Sequence, residues 1–206
     1  MQGAGTLTRR AALLGFAAAV AGCGAPARQP GNSFVAGQGA AGQADKIAAL
    51  EREILALGPG VSPQEAATVA RIAVEEPLVW ARLWGAVDVP LIHNIQVNSG
   101  RKPRGLCKDW ADDLEARLRQ EGLATLDLHR AIANADTLLI EHSTVIVSPA
   151  GAAMTEGLVL DPWRLGQGRL WYGRVTEDPK YRWVPRAEVF AMKRRQKRRR
   201  ALRDGV

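Results

Sequence analysis

The chain changes its hydrophobic period near Gly122, and that change limits the possible folds more than any other feature. Before it, apolar residues recur every three or four positions. Ile47, Leu50, Ile54 and Leu57 mark a helix from Asp45 to Leu57, with Gly58 as terminator. Ser62-Pro63-Gln64-Glu65 has the form of a capping box with proline in the first turn, predicting a second helix to about Glu75. Pro77 predicts its end and the start of a short third helix through Trp80 and Trp84. Asp88 to Val97 reads as extended, and Asn98 to Gly105 as a polar, cationic loop. A fourth helix, from Leu106 to about Gln120, gathers Cys107, Trp110, Ala111, Leu114 and Leu118 on one face. After Gly122 the pattern is that of strands, over Thr125–Ala133, Thr137–Val147 and Gly157–Asp161. Arg169–Val175 and Tyr181–Val184 are shorter strand candidates, and Pro149-Ala150-Gly151 supplies a turn. Helices first and an antiparallel meander second predict an α+β fold, with the Cys107 helix packed on the sheet.

The N-terminus reads as a targeting segment. Arg9 and Arg10 precede the uncharged apolar run Ala11–Ala21, which is too short for the roughly 20 residues of a spanning helix and suits a signal peptide. The run ends in Val20-Ala21-Gly22-Cys23, which resembles a bacterial lipobox. That resemblance implies removal of residues 1–22, lipid on Cys23, and a place in the cell envelope facing the periplasm. Gly24 in the next position, where an Asp would retain the protein at the inner membrane, favours the outer membrane. Residues 23–44, rich in Gly and with Arg28 as the one charge, read as a flexible tether. Residues 45–192 then form a single α+β domain, and 193–206 a basic tail.

Net charge is +7, which invites a nucleic-acid reading. The charge is not in the body of the chain. Setting aside Arg9, Arg10 and the seven net positive charges of 193–206 leaves −2, so no nucleic-acid partner is expected. The tail is either a cationic partner for anionic lipid headgroups or a solvated end. His93 and His129 have no second ligand at metal spacing, and neither a metal nor any cofactor is expected.

With Cys23 assigned to lipid, Cys107 is a lone thiol in an exported domain, where thiols are normally paired. It is a buried inert residue, a dimer cross-link or a nucleophile. Its place in the first turn of a helix, beside Arg101, Lys102 and Arg104, favours thiolate chemistry and offers backbone N–H groups to an oxyanion. Asn94, Gln96 and Asn98 are candidate second oxyanion donors, with ordinary structural hydrogen bonding as the alternative. If 137–147 and 157–161 are hairpin arms, the midpoint between His142 and Asp161 falls in the expected turn. The two then form a cross-strand pair with Cβ atoms within ~5.5 Å. Asp161 would orient the imidazole, and His142 would take the Cys107 proton.

Gly105-Leu106-Cys107-Lys108-Asp109-Trp110-Ala111, then Glu141-His142-Ser143, then Leu158-Val159-Leu160-Asp161-Pro162-Trp163, resembles the transglutaminase-like branch of papain-fold cysteine enzymes. The resemblance covers about residues 90–185. It implies a helix opened by the cysteine on an antiparallel sheet, with Cys107 as nucleophile, His142 as base and Asp161 as orienting acid. It also implies a peptidase or amidase acting on a peptide or protein substrate of the envelope. Lys108 and Ser143 depart from the aromatic residues the family often has there. The competing expectation is a non-catalytic envelope lipoprotein that uses the same fold as a binding or assembly module; a third is an enzyme acting on cell-wall peptides.

Overall fold

The structure, a computed structural model, describes residues 40–137 and 140–205. The expected signal peptide, Cys23 and the tether up to residue 39 lie outside these. Helix α1 spans Ala40–Leu55, starting five residues ahead of Asp45 and so taking in the end of the expected tether. Leu50 and Ile54 on its inner face are fully buried.

Helix α2 runs unbroken from Pro63 to Trp84, with Pro77 inside it. The expectation that Pro77 would end the helix is corrected. A proline there forfeits one main-chain bond, but Ala73, Val74, Pro77, Ala81 and Trp84 are all buried along one side. Packing outweighs the lost bond. Gly85, in the left-handed conformation, ends the helix. At the other end only half of the expected capping box forms. The Glu65 N–H reaches the Ser62 hydroxyl at 3.4 Å. The Glu65 carboxylate turns instead to the N–H groups of Ala124 and Thr125, at 2.8 and 2.9 Å.

A second correction concerns Asp88–Val97, which is not extended. Helix α3 occupies Pro90–Asn98, with proline in its first turn and Val89 before it at ψ 152°. The aliphatic run misleads because Leu91, Ile92 and Ile95 are not packed inside; His93 is the buried residue of this helix.

Helix α4 spans Cys107–Arg119, as the spacing of its apolar face predicts, and Trp110, Ala111, Leu114 and Leu118 are buried. Strands β1 (Leu126–Ala133), β2 (His142–Pro149), β3 (Leu158–Asp161) and β4 (Trp171–Arg174) pair consecutively and antiparallel. β2 therefore begins at His142, not at Thr137. The meander ends at β4. Strand β5, only Val184–Pro185, pairs with β1 on the far edge, giving the order β4-β3-β2-β1-β5. Residues 175–183 cross over to make that return. Helix α5 follows at Arg186–Arg203, so the basic residues expected to form a separate tail continue a helix that begins seven residues earlier.

The sheet has a core on each face. Leu50, Ile54, Val69, Ile72, Leu114 and Leu118 of the helices meet Val145, Val147, Leu158 and Leu160 on one side. Ala131, Ile146, Val159, Trp171, Tyr181 and Trp183 cluster on the other. Alternation along β2 and β3 sends neighbouring residues to opposite faces. His142 and Asp161 thereby share the second face with Ile146 and Val159.

Candidate functional site

Cys107 opens α4, and the preceding loop is held in place by contacts that demand particular residues. Gly105 has φ 124°, and a Cβ there would lie 2.2 Å from His93 Nε2. Glycine is required. His93 Nε2 donates to the Arg104 carbonyl at 2.8 Å, and Trp110 Nε1 donates to the Gly105 carbonyl at 2.8 Å. Asp109 Oδ2 accepts from the N–H groups of Gly105 and Leu106, both at 3.1 Å. Leucine has no oxygen with which to complete a reciprocal cap. The N–H groups of Cys107 and Lys108 are left without partners among the described residues.

His142 starts β2 and is 2% exposed. Its Nε2 lies 2.7 Å from Asp161 Oδ2. The sequence expectation of a directly opposed pair is corrected here. β2 and β3 run in a register that pairs Val145 with Leu160, so Asp161 falls opposite Thr144 and meets His142 on the diagonal. The displacement is two residues, and an even shift keeps both side chains on one face. The other ring nitrogen, Nδ1, is buried without a hydrogen-bond partner. Cys107 Sγ lies 3.7 Å from the carbonyl of Glu141, the residue before His142. The structure thus brings Cys107, His142 and Asp161 together.

Burial is the largest influence on the His142 ring and disfavours its charged form. The Asp161 charge and hydrogen bond, with a smaller share from Cys107, together outweigh burial and raise the pKa from 6.5 to about 9. Burial likewise opposes ionisation of Asp161, yet His142 and then Arg164 hold its carboxyl below the ordinary carboxylate range. Four donors converge on this carboxylate. Besides the ring they are Arg164 Nε, at 3.0 Å, and the N–H groups of Trp163 and Arg164, at 3.1 Å each.

Sequence reasoning missed most of this support. Arg164 forks between Asp161 and Asp178, with Nη1 and Nη2 at 3.1 and 2.7 Å from the Asp178 oxygens, and lies 3.5 Å over the Trp171 ring. Asp178 also accepts from Trp183 Nε1 at 2.8 Å. Trp163 and Tyr181 flank the His142 ring, each with centroids 4.7 Å away, and Trp183 stands at 5.5 Å. The only local cues were the Asp-Pro pairs at 161 and 178, each of which starts a turn.

The three candidate amide donors fare differently. Asn94 Oδ1 accepts from Trp163 Nε1 at 3.1 Å, which ties it to the wall of the site. Gln96 spends its Nε2 on Asp88 at 2.8 Å. Asn98 closes α3 in an exposed position with no bond to the site. His129 bonds Ser148 at 2.8 Å. No group of three His, Cys, Asp or Glu placed to hold a metal ion occurs among the described residues. Fold and site together define an α+β protein with a thiol, an imidazole and a carboxylate at one rim of its sheet. Compared with family models, curated proteins and solved structures, the chain finds no match.

Proposed function

We propose that this protein is a cysteine hydrolase of the transglutaminase-like, papain-fold kind, cleaving an amide bond in a peptide or protein of the cell envelope. The observation that carries the reading is the arrangement around the His142 ring: Nε2 is committed to Asp161, Nδ1 has no hydrogen-bond partner, and Cys107 Sγ lies 3.7 Å from the carbonyl of the preceding residue, Glu141. A ring protonated at neutral pH beside a sulfur suits a thiolate–imidazolium pair. The thiolate attacks the carbonyl carbon, an S–C bond forms, and the carbonyl electron pair becomes an oxyanion. The N–H groups of Cys107 and Lys108 supply donors for it. As the C–N bond breaks, Nδ1 gives its proton to the leaving amine. Water then adds to the thioester, passes a proton to Nδ1, and releases the acid and the thiolate. Asp161 keeps the ring oriented throughout. Residues 1–24 support export and lipid attachment at Cys23, with the outer membrane favoured; that part rests on sequence alone.

Labelling of the unacylated chain with a neutral thiol electrophile, read peptide by peptide because Cys23 there keeps its thiol, tests the proposal. Cys107 should react at pH 6 at least about tenfold faster than a free thiol of ordinary pKa. Cys107→Ala should lose both this label and any amidase activity while melting like the parent. Labelling no faster than a free thiol would end the enzymatic reading. Burial of His142 beneath three aromatic rings favours a second reading, a binding or assembly module that keeps the fold without the chemistry. In that case Cys107→Ser would support the cellular role as well as the parent does.

A further inference from the structure

Six large aliphatic side chains stand exposed where α2 ends and α3 runs. Leu83 is 72% exposed, Leu91 66% and Ile95 57%, with Val87, Val89 and Ile92 beside them in sequence. Soluble surfaces scatter such residues singly; a group of this density marks a contact with something else. Helix α3 has its apolar side outward. His93, Asn94 and Gln96 bond inward to Arg104, Trp163 and Asp88, while Leu91, Ile92 and Ile95 face solvent.

Charge narrows the occupant. Arg82 and Arg101, both exposed, bracket the aliphatic group in sequence, and neither pairs with a carboxylate among the described residues. Lys102 adds a third cation, its ammonium lying against Gly85 at the end of α2. Asp88, the one acidic residue between Arg82 and Arg104, is held by Gln96. Exposures from 46% at Ile92 to 72% at Leu83 leave these side chains standing in solvent. An exposed aliphatic stretch with cations at both ends suits a deformable phase with negative charge at its surface.

We propose that the corner formed by the end of α2 and by α3 inserts into the interface of an anionic lipid bilayer. Leu83, Val87, Leu91, Ile92 and Ile95 enter to the headgroup and acyl boundary, while Arg82 and Arg101 meet lipid phosphates. This inference does not depend on the thiol chemistry. It also differs from a role for α5, whose exposed cations come without an aliphatic face. Because α3 carries Asn94 against Trp163, the lipid surface borders the rim where His142 lies.

Hydrogen exchange of the full, unacylated chain, with and without vesicles, tests this by position. Vesicles of phosphatidylcholine with phosphatidylglycerol should slow exchange of amides between residues 83 and 98 by about tenfold, and phosphatidylcholine alone should not. The exposed triple change Leu91→Ser, Ile92→Ser, Ile95→Ser should abolish that protection while exchange of α2 and α4 without vesicles stays as in the parent. Protection confined to residues 1–39 or to α5 would overturn the proposal. So would equal protection by neutral vesicles. Vesicle-free protection of 83–98 that rises with protein concentration would overturn it too, assigning the face to a second copy of the chain.

Discussion

The proton on His142 is held by a balance in which burial opposes and Asp161 prevails, so that the ring titrates at about 9 instead of 6.5. A raised pKa in the folded state means that protonation favours folding. The contribution is complete below pH 6.5 and disappears as pH rises through about 9. Asp161 works at the other end: its lowered pKa contributes above the ordinary carboxylate range and is lost as pH falls through its native value. Thermal stability should therefore decline over that window, and under the proposed hydrolase reading amide hydrolysis should show an alkaline limb near pH 9, where the imidazolium that would protonate the leaving amine is lost. A limb near 6.5 would show that Asp161 does not hold the ring. Residue type and chain order made the meeting of Cys107, His142 and Asp161 legible as a place in the fold, since a helix start and two neighbouring strands carry them. Arg164 and Asp178 were not legible. Their partnership joins two turns 14 residues apart, and an arginine in sequence does not show which carboxylate it will meet.

Elements differ in how far local pattern decided them. α4 follows its periodicity because one side of it faces a core, and β1 alternates between the two cores, Leu126 and Leu128 in one and Ala131 and Ala133 in the other. α3 does not, because its aliphatic residues point away from the core and carry no information about burial. Pro77 is a strong local signal that tertiary packing overrides. Glu65 shows the same competition at a helix start. Local chemistry offers its carboxylate the backbone of Ser62; the fold brings Ala124 N–H, Thr125 N–H and the Thr125 hydroxyl, the last at 2.7 Å. These bonds staple the start of α2 to the start of β1. Glu65→Ala should cost about 1–2 kcal/mol in urea unfolding, a figure kept low because the carboxylate is partly exposed. Ser62→Ala should cost less, since its 3.4 Å bond is long. A Glu65→Ala variant as stable as the parent would show that the staple adds nothing.

The whole molecule depends on a return path. After β4 the chain crosses the second face of the sheet to set β5 against β1, and that crossing delivers Asp178, Tyr181 and Trp183 over His142. Arg164 is the clasp, 7% exposed in its side chain and bridging carboxylates that are 1% and 0% exposed. Arg164→Met removes the cation shared by two buried anions, leaving Asp178 without a charged partner and Asp161 with His142 alone. The expected loss is about 3–5 kcal/mol in urea unfolding, with Arg164→Lys intermediate because it keeps the charge and loses the fork. A methionine variant within about 0.5 kcal/mol of the parent would contradict the clasp. Local pattern was enough to set helices ahead of an antiparallel sheet, to begin a helix at Cys107, and to put His142 and Asp161 on neighbouring strands. Those features follow from period, caps and turns, which act over a few residues. The diagonal register, the outward apolar side of α3, the far-edge position of β5 and the Arg164 clasp came from long-range packing. Each of these is a choice between distant partners, settled by which arrangement buries the most surface and leaves the fewest charges unpaired.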